Sequence, residues 1–114
     1  MTRDSKFNSF IKNLLRQGSY KWSARTDALR KARISRGLYK CATCGIDRFK
    51  RGEVQLDHID PVVSVENGFT TWDDYINRLF CDADGFQVIC TTCHDAKTKI
   101  EDEMRTFHKN EKKK

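Results

Sequence analysis

Two Cys-x-x-Cys pairs, Cys41 with Cys44 and Cys90 with Cys93, stand 45 residues apart in a chain of 114. Each pair can place two thiolates on one ion at the tetrahedral angle, and together they complete a closed four-sulfur site of the kind that holds Zn2+. The insert is longer than in a short zinc ribbon, so the metal must clamp the base of a larger element. Two disulfides would suit an oxidising compartment better than the reducing one expected here. A redox-active Cys-x-x-Cys is disfavoured because there are two pairs and neither is expected to open a helix after a buried strand. A saturated four-cysteine site has no open coordination position, so this zinc is expected to stabilise the fold and do no chemistry. The fifth cysteine, Cys81, is expected as a small buried apolar residue.

No apolar run approaches the roughly 20 residues that span a bilayer, and the start, Met1-Thr2-Arg3-Asp4-Ser5-Lys6, leads into an amphipathic stretch. A cytoplasmic protein with no membrane partner is the expectation. The net charge of +6 is unevenly spread. Residues 1–40 hold eleven Lys and Arg against two Asp and Glu, or +9, and residues 41–114 hold eleven against fourteen, or −3. A basic arm on a mildly acidic body that carries Cys and His points to a polyanion partner, nucleic acid foremost, beside a metal.

The length suits one small domain. Phe7, Phe10, Ile11, Leu14 and Leu15 form a helical stripe that Ser5 could cap and Gly18 end. A second helix is predicted over about Ala24 to Arg36, with Ser23 as cap, Gly37 as stop, and Arg25, Arg30, Lys31, Arg33 and Arg36 on its cationic positions. Trp22 lies between the two helices and suits either stacking on a base or plugging the hairpin. Glu53 to Ile59 alternates as a strand, Phe86 to Cys90 is extended, and Trp72, Tyr75, Ile76, Leu79 and Phe80 make the buried face of a short helix that begins at Thr71. From about Thr92 to Phe107 the chain is helix-prone, with Ile100, Met104 and Phe107 spaced to face inward. The division expected is a basic helical arm at 1–37, a main module at 38–108 and a disordered basic tail at 109–114.

Asp57-His58 ends the first strand, and His94 follows Cys93 directly. A zinc that ties Cys93 beneath the hairpin would bring Asp57, His58 and His94 into one small volume. A carboxylate and an imidazole suit Mg2+ or Mn2+, and a second imidazole can take a proton from water near neutral pH.

These residues carry a resemblance. Leu56-Asp57-His58-Ile59-Asp60-Pro61-Val62, the segment Phe69 to Phe80, and Phe86 to Thr98 with its Cys-x-x-Cys-His-x-x-Lys-Thr run are similar to the HNH endonucleases, above all the small phage-encoded ones. The resemblance spans roughly residues 38–105. It implies an α+β fold, a ββα-metal finger clamped by the four-cysteine zinc, preceded by the two basic helices. It implies His58 as general base, Asp57 and His94 as ligands of the catalytic divalent ion, and DNA strands cut to 5′-phosphate and 3′-hydroxyl ends.

The implied partner is double-stranded DNA, nicked or cut. The implied setting is the cytoplasm of a phage-infected bacterial host, with other phage proteins as candidate partners and a monomer or weak dimer as the working form. Trp22, Arg25, Arg30, Lys31, Arg33, Arg36 and Lys97 are the expected DNA contacts, although Lys97 would equally serve as a solvated helix residue. Glu101 suits a surface ion pair or support behind the metal. The family's middle Asn is Gly85 here, which leaves Asp84 or Asn77 to brace the loop. The competing expectation is a zinc-finger module that binds nucleic acid without cutting it.

Overall fold

The structure, a computed structural model, describes residues 4–112. Helix α1 runs over Ser5–Ser19. Its cap is Asp4 rather than Ser5: the Asp4 carboxylate accepts from the Phe7 N–H at 2.7 Å, which satisfies one of the free donors of the first turn. The helix passes through Gly18 and ends one residue later. Ile11 and Leu15 are half-buried and Leu15 packs on α3, whereas Phe10 and Leu14 of the same stripe are exposed.

Helix α2, Ser23–Ala32, buries Ala24 and Ala28 against Phe86. It stops well before Arg36. Arg33–Ser35 forms strand β1, paired antiparallel with β2 at Leu38–Tyr39, and Gly37 supplies the left-handed turn between them at φ +77°. β-Branched Ile34 favours the extended form that ends the helix. Arg33 and Arg36 therefore sit on a small hairpin, with α2 carrying Arg25, Arg30 and Lys31.

A single 3₁₀ turn at Arg51–Glu53 leads into β3, Val54–His58, which pairs antiparallel with β4, Phe86–Cys90, in unbroken register from Val54 opposite Cys90 to His58 opposite Phe86. Between them lies α3, Trp72–Leu79, capped by the Thr71 hydroxyl, which accepts from the Asp74 N–H at 3.0 Å. Tyr75 and Leu79 are its buried face, packed with Val62, Leu15 and Phe69, and Ile76 points outward. In β4, Phe86, Val88, Ile89 and Cys90 are all buried, because α2 covers one face and the cysteine knuckle the other.

Helix α4, Thr91–Lys112, is the longest element. At about 1.5 Å per residue it spans about 33 Å, in a molecule whose longest dimension is 51 Å. Its first turns meet β3 and β4 and the rest extends past the sheet. Ile100, Met104 and Phe107 are consequently 56, 40 and 63% exposed instead of facing a core. The helix also takes in residues 109–112, which the sequence placed in a disordered tail; 113 and 114 lie outside the described residues. The described residues thus form a small α+β domain of four α-helices and two two-stranded antiparallel sheets. None of these helices is long and apolar enough to cross a membrane.

Candidate metal centre and the adjoining cleft

Cys41 opens a tight knuckle in which Gly45, at φ +78°, turns the chain so that its N–H donates to the Cys41 carbonyl at 3.0 Å. The Ala42 N–H donates to the Val88 carbonyl at 2.9 Å and fastens this knuckle to β4. Cys90 ends β4 and Cys93 lies in the first turn of α4, so the second knuckle does open a helix after a buried strand, contrary to expectation. What sets it apart from an isolated redox pair is its neighbour. The Sγ atoms of Cys41, Cys44, Cys90 and Cys93 all lie within 4.8 Å of one another, close to the sulfur separations of about 3.8 Å in a tetrahedron with Zn–S near 2.3 Å.

Backbone N–H groups of Cys44 and Cys90 point at the Cys41 sulfur, at 3.4 and 3.3 Å. Burial raises the Cys41 thiol, but these donors outweigh it and bring its pKa down to about 6. Cys93 is pushed up to about 12, first by the Cys90 thiol and then by burial and the remaining sulfurs. Four thiols this close cannot all ionise without a cation among them. The donor set is all sulfur and closed, which suits Zn2+ in a structural role.

The second cluster stands where the hairpin meets α4. Asp57, with 11% of its side chain exposed, accepts from Gln87 Nε2 at 2.9 Å, its cross-strand neighbour. His94 Nε2 lies 3.9 Å from Asp57 Oδ1. Two atoms each about 2.1 Å from one divalent ion can stand up to about 4.2 Å apart, so this pair lies within reach of one shared ion. His58 Nε2 lies 3.0 Å from the Leu79 carbonyl. A carbonyl only accepts, so Nε2 of the neutral ring carries the hydrogen and Nδ1 keeps its lone pair. The ring rests on Phe86 at 4.7 Å between centroids. Burial first, and the charges of Arg25 and Arg16 after it, hold the His58 pKa below its ordinary 6.5. The imidazole is therefore neutral at pH 7.

Lys97 is turned inward. Its Nζ lies 3.0 Å from Asp57 Oδ2, 3.1 Å from Glu101 Oε2 and 3.0 Å from the His58 carbonyl. Three oxygens match the three ammonium hydrogens, so Lys97 joins the end of β3 to α4, and Glu101 is its partner on the helix.

Neither residue expected to brace the loop after β3 does so through a contact. Asp84 is exposed and pairs with Lys31 at 3.1 Å, and Asn77 is exposed on α3. The brace is Arg78, which sequence reasoning missed. It donates to the Pro61 carbonyl at 3.0 Å and pairs with Asp60 and Asp74 at 3.0 Å each. The i,i+4 spacing of Asp74 and Arg78 was the available signal for half of this network. Arg105 adds a second tie from α4, to the Val63 carbonyl at 3.1 Å. Gly85 has its own reason: a Cβ there would lie 2.6 Å from Cys81 Sγ and 2.9 Å from Cys81 Cβ. Cys81 is only half-buried and fills the space that an Asn at position 85 would need.

Asp57, His58, His94, Lys97 and Glu101 share one cleft of about 450 Å³ with Arg16 of α1, Arg25 of α2 and Arg105 of α4. Of the expected DNA contacts, Arg25 and Lys97 line this cleft. Arg30 is exposed and 3.9 Å from Asp27, Lys31 is on the surface, and Arg33 and Arg36 are exposed on the β1–β2 hairpin. Trp22, 37% exposed, donates its indole N–H to the Cys81 carbonyl at 2.7 Å and meets the Phe80 ring edge-on at 6.1 Å, which ties the α1–α2 connection to the end of α3.

The chain matches no protein-family profile, no curated protein and no solved structure.

Proposed function

We propose that this chain is a metal-dependent endonuclease of the HNH type that hydrolyses the backbone of double-stranded DNA, leaving 5′-phosphate and 3′-hydroxyl ends. The observation that carries this reading is the meeting of Asp57, His58 and His94, from a β-hairpin and the helix after it, in one arginine-lined cleft. Asp57 and His94 would hold a Mg2+ or Mn2+ ion, which would supply neutralisation of the charge that grows on phosphate and departing oxygen. His58 acts as general base: its Nδ1 lone pair takes the proton of the attacking water, while the Leu79 carbonyl holds the ring in that tautomer. Gln87 orients the Asp57 carboxylate. A zinc held by Cys41, Cys44, Cys90 and Cys93 would fix His94 by clamping the start of α4 to the first knuckle, and Arg30, Lys31, Arg33 and Arg36 offer outlying contacts to the DNA backbone.

One observation favours a second reading. Lys97 already neutralises Asp57 at 3.0 Å, as it would in a zinc-clamped module that binds nucleic acid and does not cut. Supercoiled plasmid incubated with the protein and Mg2+, Mn2+ or EDTA separates the two. The nuclease gives nicked or linear DNA only with the divalent ion, and His58→Ala loses cutting while keeping zinc and DNA binding. Undiminished metal-dependent cutting by His58→Ala removes the base from its role, and DNA bound but never cut by the wild type leaves the binding module.

A further inference from the structure

Four cationic side chains, Arg16, Arg25, Lys97 and Arg105, line the cleft that holds Asp57, His58 and His94. Two of them are occupied by the protein itself. Lys97 is shared among three oxygens, and Arg105 reaches the Val63 carbonyl at 3.1 Å and Asp102 at 3.5 Å. Arg16 and Arg25 have no carboxylate partner among the described residues.

Arg25 is half-buried, its guanidinium 5.0 Å from the Tyr20 ring centroid and 5.5 Å from that of Phe86, the ring on which His58 rests. Aromatic faces stabilise a cation, but they neutralise none of its charge. A partly desolvated cation without a counter-ion is costly, and a ligand that brings the negative charge removes that cost. Guanidinium donors match phosphate oxygens in spacing and direction.

We infer that Arg16 and Arg25 form a phosphate-binding pair that seats the DNA backbone in this cleft, holding phosphate beside the scissile one. The identity of the polyanion rests on the nuclease reading; the pair itself rests on two cleft-lining guanidiniums that have no carboxylate partner among the described residues. α1 and α2 are then a wall of the working cleft, with one arginine each directed to the phosphodiester chain.

The test is the salt dependence of duplex binding, measured by fluorescence anisotropy of a labelled oligonucleotide duplex in the His58→Ala background without divalent ion. Each phosphate contact contributes about 0.9 to the slope of log K against log salt. Arg16→Gln and Arg25→Gln should each lower the slope by about that amount, and the double variant by about twice it, with zinc content and far-ultraviolet circular dichroism unchanged. Arg25→Lys should keep the slope. If Arg25→Gln loses zinc or folds poorly, the exposed Arg16→Gln decides alone. An unchanged slope, or a parent protein that binds no duplex, overturns the pair. Plasmid cutting by the wild type reads the nuclease proposal separately: reduced slopes without cutting keep the pair and sink the nuclease, and cutting with unchanged slopes does the reverse.

Discussion

The Lys97 ammonium lies 3.0 Å from Oδ2 of Asp57, on the carboxylate whose other oxygen faces His94 at 3.9 Å. A cation of the protein's own thus balances the carboxylate proposed above to hold a divalent ion. Replacing it with an apolar side chain of similar length, Lys97→Met, leaves Asp57 and Glu101 as two half-buried negative charges. Losing one member of a fully buried pair costs about 3–5 kcal/mol; with Lys97 24% exposed, about 1–3 kcal/mol is expected after solvent screening. Urea unfolding in EDTA should show that loss, and Mn2+ should restore more stability to Lys97→Met than to the wild type. Equal stabilisation of both proteins by Mn2+ would mean that Lys97 and the ion do not share a site.

The sulfur cluster should bind one zinc per chain, measurable by elemental analysis of protein purified without added metal. Because the site brings together the loop before β3 and the start of α4, removal of zinc by a strong chelator should collapse the near-ultraviolet circular dichroism, as folding and metal binding are coupled in such sites. Cys41→Ser should lose the metal, whereas Cys81→Ser should keep it.

Position 85 and Cys81 should be energetically coupled. The Cβ of Gly85→Ala falls within 2.6 Å of Cys81 Sγ, an overpacking expected to cost about 1–3 kcal/mol. Adding Cys81→Ala removes the sulfur and should recover part of the loss, read as a non-additive term in a double-mutant cycle by chemical denaturation. Additive costs would place the clash elsewhere.

Tyr75 carries a buried hydroxyl with no hydrogen-bond partner among the described residues and is 1% exposed. A buried donor left unpaired is unfavourable by about 1–3 kcal/mol. Tyr75→Phe should therefore leave the melting temperature unchanged or raise it, and a clear fall would reveal a partner for that hydroxyl, such as an internal water.

Local pattern made much of the domain legible. Alternation marked β3, the extended character of Phe86 to Cys90 marked β4 and the run Thr71 to Phe80 marked α3, because each is decided by residues close in sequence. The paired knuckle spacing foretold the sulfur cluster, since a four-thiolate site demands little beyond two adjacent pairs. The convergence of Asp57 with His94 followed from the same clamp. Where the sequence misled, a contact outside the helix itself decided. Helix periodicity called for a core beneath Ile100, Met104 and Phe107, but whether a core exists there depends on how far the sheet extends. The strand pairing of Arg33–Ser35 with Leu38–Tyr39 ended α2 where its composition favoured continuing.

From the sequence alone came the four-cysteine set, the two hairpin strands and the residues at their mouth, all short-range consequences of residue type and spacing. Only the tertiary structure aimed Lys97 at Asp57, made Arg78 the brace of the loop, put Cys81 where position 85 has no room, and brought Arg16 and Arg25 from the basic arm to the cleft. A charge or a side-chain volume has the same signature in sequence whichever way it points. Its direction is settled when elements far apart in the chain close on one another.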